Sequence, residues 1–297
     1  MAERAGDCCR CGGESVRQKR WFCLILPMYI FSILFVLGPL LYMIALSFAT
    51  NHEGLGVTFR FTLENFKKMA DPVYVGTFVQ SFQVAIMTTI LVVAIGYPFG
   101  YFMAKQSKRG KRLLMFLIMV PFWTSSLLRM YGWIIVLQAK GIVNTVLIRL
   151  GLIRVPIKIL YSYPAVLIGM VYALLPFMIL SVYSSVEKMD WTLVEAAKDL
   201  GASNWKAFST VTLKLTLPGL LSGVILTFIP SMGLFFIADI LGGNKIVLVG
   251  SLIQDQLGRG GNWPFAAALS VVLMILTSLM IYLYRRITHI KDLEGVI

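Results

Sequence analysis

Charged residues are scarce in this sequence. Lys, Arg, Asp and Glu together make up 14% of its 297 residues, while 58% are hydrophobic. A water-soluble domain of this size could not bury so much apolar surface, so lipid must form part of the solvent around this chain. The composition excludes an ordinary soluble enzyme and predicts an all-α membrane protein.

Long stretches without charge predict six transmembrane helices, because a helix needs about 20 mainly apolar residues to cross a bilayer. The stretches are Trp21–Asn51, Pro72–Ala104, Leu113–Leu128, Ile159–Val186, Leu215–Ala238 and Gly260–Tyr284. The third is too short by itself, so we expect it to continue through Arg129 to about Leu137. The chain then divides into a basic tail, residues 1–20, and a six-helix membrane domain, residues 21–297.

Acidic residues are also few, and the basic residues are unevenly distributed. The second and fourth connecting segments, together with both tails, hold 17 of the 27 Lys and Arg residues. The first, third and fifth connecting segments hold nine. Basic connections stay on the cytoplasmic side of a membrane, so both termini are expected in the cytoplasm. This asymmetry largely explains the formal net charge of +13, and a nucleic-acid partner is the weaker interpretation.

Groups that catalyse reactions or relay protons are missing. The only histidines, His52 and His289, fall on opposite sides of the predicted bundle, and no GxxxxGK[ST] phosphate loop is present. The predicted spans also lack the chain of Asp, Glu or His residues that a proton-driven transporter needs. We therefore expect no enzyme activity, no cofactor and no metal site. Energy for uphill transport would have to come from another subunit.

Cysteine is equally rare, and three of the four cysteines, Cys8, Cys9 and Cys11, lie in the basic tail. This cluster could bind a soft metal ion. It lacks a second pair of ligands at a recognised spacing, however, so an unstructured tail is the favoured interpretation.

Two ionisable residues stand within or near the predicted spans, and such residues are candidates for function. Arg129 lies in the outer part of the third span, and Asp239 ends the fifth. Asp239 could meet a cationic solute, the two residues could pair, or each could reach the membrane surface separately. Aromatic residues at the same depth attract ammonium groups through their ring faces or form an interfacial belt. They are Trp123, Tyr131, Trp133, Tyr172, Phe235 and Phe236.

The connection between the fourth and fifth spans, residues 187–214, is long and is expected on the cytoplasmic side. Its apolar spacing and alternating charges predict an amphipathic helix from about Thr192 to Leu200, broken at Gly201 and resumed from Ser203.

Within this loop, the segment Glu195–Gly201 (EAAKDLG) is similar to the EAA-x3-G signature of the membrane subunits of binding-protein-dependent ATP-driven importers. The resemblance implies the type I ABC importer permease fold and a coupling helix that docks on an ATPase subunit. The docking residues that it implies are Glu195, Ala196, Ala197 and Gly201. The family pattern continues with a proline where this chain has Lys214, which leaves open whether a break precedes the fifth span.

A longer resemblance, from about residue 21 to 290, is to the B-type permeases of spermidine/putrescine importers. The strings that carry it are Pro121–Thr124, Arg129–Gly132, Leu175–Met178, Tyr183–Lys188 and Ala238–Gly243. It implies a bacterial plasma membrane complex with a second permease of the C type, two ATPase subunits and an external polyamine-binding protein. Polyamine would pass between the two permeases. The residues expected to line that path are Asp239, Trp123, Tyr131 and Tyr172.

Composition alone does not separate a polyamine from another small cargo of related importers, such as ferric ion or thiamine. A secondary transporter or channel that works alone is the alternative from a different class. The missing proton relay and the long amphipathic loop argue against it.

Overall fold

The computed structural model describes residues 27–52 and 56–288. The Cys8, Cys9 and Cys11 cluster, like the rest of the predicted tail, lies outside the described residues. The helices are α1 Pro27–Ser47, α2 Glu64–Lys68, α3 Pro72–Ala104, α4 Lys108–Met119, α5 Ser126–Leu137, α6 Ile142–Arg149, α7 Tyr163–Glu187, α8 Thr192–Asp199, α9 Asn204–Gly233, α10 Phe235–Gly242, α11 Val249–Leu257 and α12 Trp263–Thr288. Strands β1 (Thr50–His52) and β2 (Gly56–Thr58) form an antiparallel hairpin in which Thr50 faces Thr58.

Six helical segments in this part of the chain are long and apolar enough to cross a membrane. The number of spans expected from the sequence is therefore confirmed. Many large apolar side chains on these segments face outward, among them Leu128 and Ile135 of α5. Outward apolar surface of this kind is stable only against lipid or against another protein.

The centre of the bundle is formed by α3, α7 and α9, which pack against one another along most of their lengths. Met178 of α7 is fully buried and belongs to the apolar cluster between these helices. A hydrogen bond of 2.9 Å between the Tyr97 hydroxyl and the Thr216 hydroxyl joins α3 to α9. Because both hydroxyls find a partner, the polar groups of this contact can be buried at little cost.

Gly219 allows α9 to approach α7 closely. A Cβ atom at this position would overlap the Cβ of Ser185 and lie 2.8 Å from the carbonyl oxygen of Ser181. We expect Gly219→Ala to force the two helices apart and to destabilise the protein by about 1–3 kcal/mol. The melting temperature of the purified protein measures this effect. Gly132→Ala in α5 is the control, since a Cβ there meets nothing within 4 Å, and an equal loss in both variants would contradict the prediction.

The expected third span, Leu113–Leu137, is not one helix, and that prediction was wrong. Helix α4 ends at Met119, a 3-10 turn follows over Val120–Trp123, and α5 begins only at Ser126. Pro121 has no amide hydrogen with which to continue the α-helix. The amide and the hydroxyl of Thr124 instead donate to the Pro121 carbonyl, at 3.3 and 2.8 Å.

The broken segment nevertheless runs antiparallel beside α7. Lys111 forms a 2.9 Å ion pair with Glu187 at the end of α7. Further along, Phe122 packs edge-on against Phe177, and Trp133 of α5 does the same with Tyr172, with the ring centroids 5.4 Å apart. By length and hydropathy the third candidate span is Ser126–Arg149, which combines α5 with α6.

The fifth span also differs from the expected Leu215–Ala238. Helix α9 ends at Gly233, three residues after Pro230, and Phe235 begins the separate helix α10. At its other end α9 continues through Lys214 without a break and contains a π-helical segment, Phe208–Thr212. Lysine keeps the amide hydrogen that a proline would remove, so the helix can pass through this position.

The described residues place α8 at one end of the bundle and α10 with α11 at the other, because α7 begins beside α10 and ends just before α8. The amide of Tyr161 donates to the Leu241 carbonyl of α10 at 2.9 Å, and the amide of Val249 donates to the Ser81 hydroxyl of α3 at 2.9 Å. We call the end of the bundle that carries α8 the Glu195 end, and the end that carries α10 and α11 the Asp239 end.

Candidate functional site

Helix α8 at the Glu195 end covers Thr192–Asp199, within one residue of the helix expected from the sequence. Asp190 precedes it, and the carboxylate accepts hydrogen bonds from the Thr192 amide at 3.0 Å and the Thr192 hydroxyl at 2.8 Å. These bonds favour the ionised carboxylate and lower the pKa of Asp190. The carboxylate therefore satisfies one backbone amide at the start of the helix that would otherwise lack a partner.

The two faces of α8 have different surroundings. Val194 is buried with Met189 and Ala207, so this face holds the helix to the bundle. On the other face Leu193 is 48% exposed and Leu200, just after the helix, is 90% exposed. Exposed apolar residues that cluster on a helix of known signature indicate a surface on which another protein docks. Leu193 and Leu200, seven residues apart, lie on the same side of the helix, and this side faces away from the bundle.

The signature residues are divided between two sides of α8. Ala196 and Ala197 share the side of Leu193 and Leu200, whereas Glu195 lines a cavity between α8 and the bundle. The side chains of Glu195 and Ala196 are exposed and Ala197 is half-buried. Gly201 has φ = +85°, a conformation that costs other residues about 1–2 kcal/mol. The amide of Gly201 donates to the Lys198 carbonyl at 2.8 Å, and the amide of Ala202 donates to the Ala197 carbonyl at 3.0 Å. Gly201 therefore ends the helix sharply and leaves Leu200 protruding.

Helix α8 is also attached to the end of α3. The ammonium nitrogen of Lys105 lies 4.4 Å from the ring centroid of Tyr101 and 5.4 Å from that of Trp191. Such contacts are attractive because the faces of aromatic rings carry partial negative charge. Lys105 thus connects α3 to the segment that leads into α8, and a cavity of about 370 Å³ separates α8 from the bundle beside it.

At the Asp239 end, the side chain of Asp239 is half-buried on α10. One of its oxygens, Oδ1, accepts a 2.8 Å hydrogen bond from the hydroxyl of Ser251 on α11. In the described part of the chain, Ser251 is the only residue that forms a hydrogen bond with the Asp239 side chain. An ionised carboxylate can accept several hydrogen bonds, so Asp239 retains capacity for a donor that approaches from outside.

Asp239 and Arg129 do not form the ion pair that the sequence left open. Among the described residues Arg129 has no carboxylate within 4 Å, and its Nε atom is buried without a hydrogen-bond partner. The guanidinium instead lies 5.6 Å from the ring of Phe122 and 5.8 Å from that of Tyr172. The structure therefore leaves the negative charge of Asp239 unneutralised by Arg129.

The three aromatic candidates for the path differ in exposure and in packing partners. Trp123 is 76% exposed and packs edge-on against Phe116, and Tyr131 is 60% exposed on α5. Tyr172 is half-buried between Trp133 and Arg129. None of the three is among the residues that line the two cavities beside Asp239.

Asp239 instead lines two neighbouring cavities. One, of about 290 Å³, is mainly polar and includes Ser251 and Asp255. The other, of about 520 Å³, is mainly apolar and includes Phe235 and Phe236. Gln254 lines both, yet sequence reasoning missed it. The spacing of Ser251, Gln254 and Asp255, which places them on one face of a helix, is the signal that could have identified it.

Comparison with known proteins gives one family. A family model described as "Binding-protein-dependent transport system inner membrane component" matches residues 96–289. The spermidine/putrescine transport system permease protein PotB of Haemophilus influenzae is 45% identical over 269 residues, which cover 91% of this chain and 93% of that protein. PotB of Escherichia coli is 43% identical over 260 residues, 88% of this chain and 94% of that protein.

A solved structure has the same fold at much lower identity. It is a bacterial alginate ABC transporter in complex with an alginate pentasaccharide-bound periplasmic protein. The match has a TM-score of 0.73 and 14% identity and covers 93% of this chain and 96% of that chain. The match supports the type I ABC importer permease fold expected from the sequence.

Proposed function

This chain belongs to the family of binding-protein-dependent transport system inner membrane components, and on that basis we propose that it is a permease subunit of an ATP-driven importer of spermidine and putrescine. The observation that supports this cargo is the sequence identity to permeases named for these two polyamines, which is 43–45% over about nine tenths of the chain. The chain forms one half of a translocation pathway, and a second permease of the C type forms the other.

Two ATPase subunits supply the energy, and one of them docks on α8. The support for this step is the exposed apolar surface of Leu193 and Leu200 together with the exposed carboxylate of Glu195 on another side of the same short helix. A partner that covers this surface buries apolar area and gains a charged contact, as protein interfaces commonly do. ATP hydrolysis then takes place in the partner, and this chain is a transport subunit rather than an enzyme.

Docking places the Glu195 end in the cytoplasm and the Asp239 end outside. The distribution of Lys and Arg supports the same orientation, with both termini in the cytoplasm of a bacterial cell. An external polyamine-binding protein then docks at the Asp239 end, where the hairpin β1–β2 and helix α11 lie outside the six candidate spans.

Transport then follows alternating access. Closure of the ATPase dimer moves α8, and α8 transmits the movement through Trp191 and Lys105 to α3 and through Val194 to the start of α9. Because α3, α7 and α9 pack as one unit, a displacement at the Glu195 end can reach the Asp239 end as a rigid-body movement. Polyamine released by the binding protein enters between the permeases and passes Asp239, with Trp123, Tyr131 and Tyr172 as candidate contacts along the path.

Uptake of labelled spermidine and putrescine by the reconstituted complex tests the proposal. We expect uptake that requires ATP and the binding protein, and that falls when excess unlabelled polyamine is added. Excess thiamine or ferric ion, the cargoes of the alternative importers, should leave it unchanged. Transport of one of those solutes without transport of polyamine would contradict the proposed cargo, and uptake without the ATPase would contradict the proposed class.

A further inference from the structure

The two cavities beside Asp239 together have the polarity that a polyamine requires. We call them the Asp239 groove: a polar part with Asn244, Ser251 and Asp255, and an apolar part with Phe235 and Phe236, both lined by Asp239 and Gln254. A polyamine alternates ammonium groups with short methylene chains. Such a cargo needs carboxylates or other oxygen acceptors next to apolar surface.

The polar part offers negative charge that the described residues do not neutralise. Among them neither Asp239 nor Asp255 forms an ion pair, although Arg259 lines the same cavity. The Ser251 hydroxyl holds the Asp239 carboxylate from one side, at Oδ1. Helix α11 supplies Ser251, Gln254 and Asp255 from neighbouring positions, so one rigid element orients most of these polar groups.

The apolar part begins at the same carboxylate. Phe235 and Phe236 stand edge to face with ring centroids 6.4 Å apart, and Ser126 and Leu127 at the start of α5 complete this side. Aromatic faces attract ammonium groups and also cover methylene chains without a loss of hydrogen bonds. A polyamine can therefore place an ammonium group at Asp239 and continue in either direction.

We infer that the Asp239 groove is an entry site for polyamine on this permease, at which Asp255 and Gln254 bind the cargo together with Asp239. The inference rests on the proposed function, and it adds a site and residues that the path candidates Trp123, Tyr131 and Tyr172 do not include. Arg259 opposes binding of a cation there, because it places a positive charge on the wall of the same cavity.

Opposite charge changes in the groove test the inference. In the reconstituted complex we expect Asp255→Asn to lower the initial rate of spermidine uptake about fivefold and Arg259→Gln to leave it unchanged or to raise it. Glu64→Gln is the matched control, since Glu64 is an exposed acid in α2, at the same end of the bundle as the groove, and its ion-pair partner is Lys68. Equal rates in all these variants would overturn the inference. Uptake by the unsubstituted complex would still support the proposed function.

Direct occupancy can be measured without transport. In a Gln254→Cys variant of the assembled complex, a membrane-impermeant maleimide labels position 254, and the unsubstituted chain reports the background from its own cysteines. We expect spermidine to slow this labelling at least several-fold, and sodium chloride of equal ionic strength to have little effect. Labelling that spermidine does not slow would show that the groove is closed by another subunit or does not bind polyamine, and either result overturns the inference.

Discussion

Replacing Glu195 with lysine is expected to abolish ATP-driven uptake by releasing the ATPase subunit. Glu195 is exposed on α8, on a side away from Leu193, and among the described residues it forms no ion pair. Glutamate and lysine have similar helix propensities, so the substitution should leave α8 folded. The lysine would reverse the charge that this position offers to the ATPase subunit. Loss of a charge pair in such an interface costs about 2–5 kcal/mol, which corresponds to a roughly 30- to several thousand-fold weaker complex.

Co-purification of the ATPase subunit with this permease measures the effect directly, and uptake in proteoliposomes measures its consequence. Glu64→Lys is the control, because it reverses an exposed acidic charge in α2, at the far end of the bundle. We expect that variant to retain both the ATPase and uptake. If the ATPase still co-purifies with Glu195→Lys and transport persists, the assignment of α8 as the docking helix is wrong.

Asp239→Asn is expected to slow polyamine uptake by about tenfold or more while assembly and ATP hydrolysis persist. Asparagine has nearly the same shape, and its amide oxygen can still accept the hydrogen bond from Ser251, so the packing of α10 against α11 should survive. The substitution removes one negative charge from a half-buried position, where an approaching ammonium group has lost part of its hydration. The transport step should therefore lose rate even though the complex remains intact.

The measurement compares spermidine uptake with ATP hydrolysis stimulated by the binding protein in the same preparation. Ser251→Ala separates charge from positioning, because it leaves the carboxylate ionised and removes the hydrogen bond that orients it. We expect a smaller loss of uptake in that variant. Uptake at the normal rate in Asp239→Asn would remove Asp239 from the path, and loss of the assembled complex would show that its role is structural.

Helix α8, the proposed docking helix, is the part of the candidate site whose position in the chain was predicted well from the sequence. The apolar spacing and Gly201 placed the helix at Thr192–Leu200, and the structure has Thr192–Asp199 followed by a left-handed glycine. Local rules suffice here, because a short helix, its cap and its terminating glycine depend on a few neighbouring residues. The direction of its two faces was not predictable in the same way, since it depends on Val194 meeting Met189 and Ala207.

The Asp239 end was predicted less well. Hydropathy merged α9 and α10 into one span, because the residues on either side of Leu234 are equally apolar. Hydropathy reports which residues avoid water and carries little information about where a helix bends. The Asp239–Ser251 bond and the shared position of Gln254 arise only when α11 folds back against α10.

The sequence by itself determined the number of candidate membrane spans and the family that the chain resembles, and it supplied the proposal that an ATPase docks at Glu195–Gly201. These properties follow from composition, from the spacing of apolar residues and from a contiguous signature. Only the tertiary structure decided that the third span breaks at Pro121, that Arg129 lies between Phe122 and Tyr172, and that Asp239 forms no ion pair with an arginine of the described residues. Those outcomes depend on contacts between helices that are distant in the chain, and local patterns do not encode the distances between them.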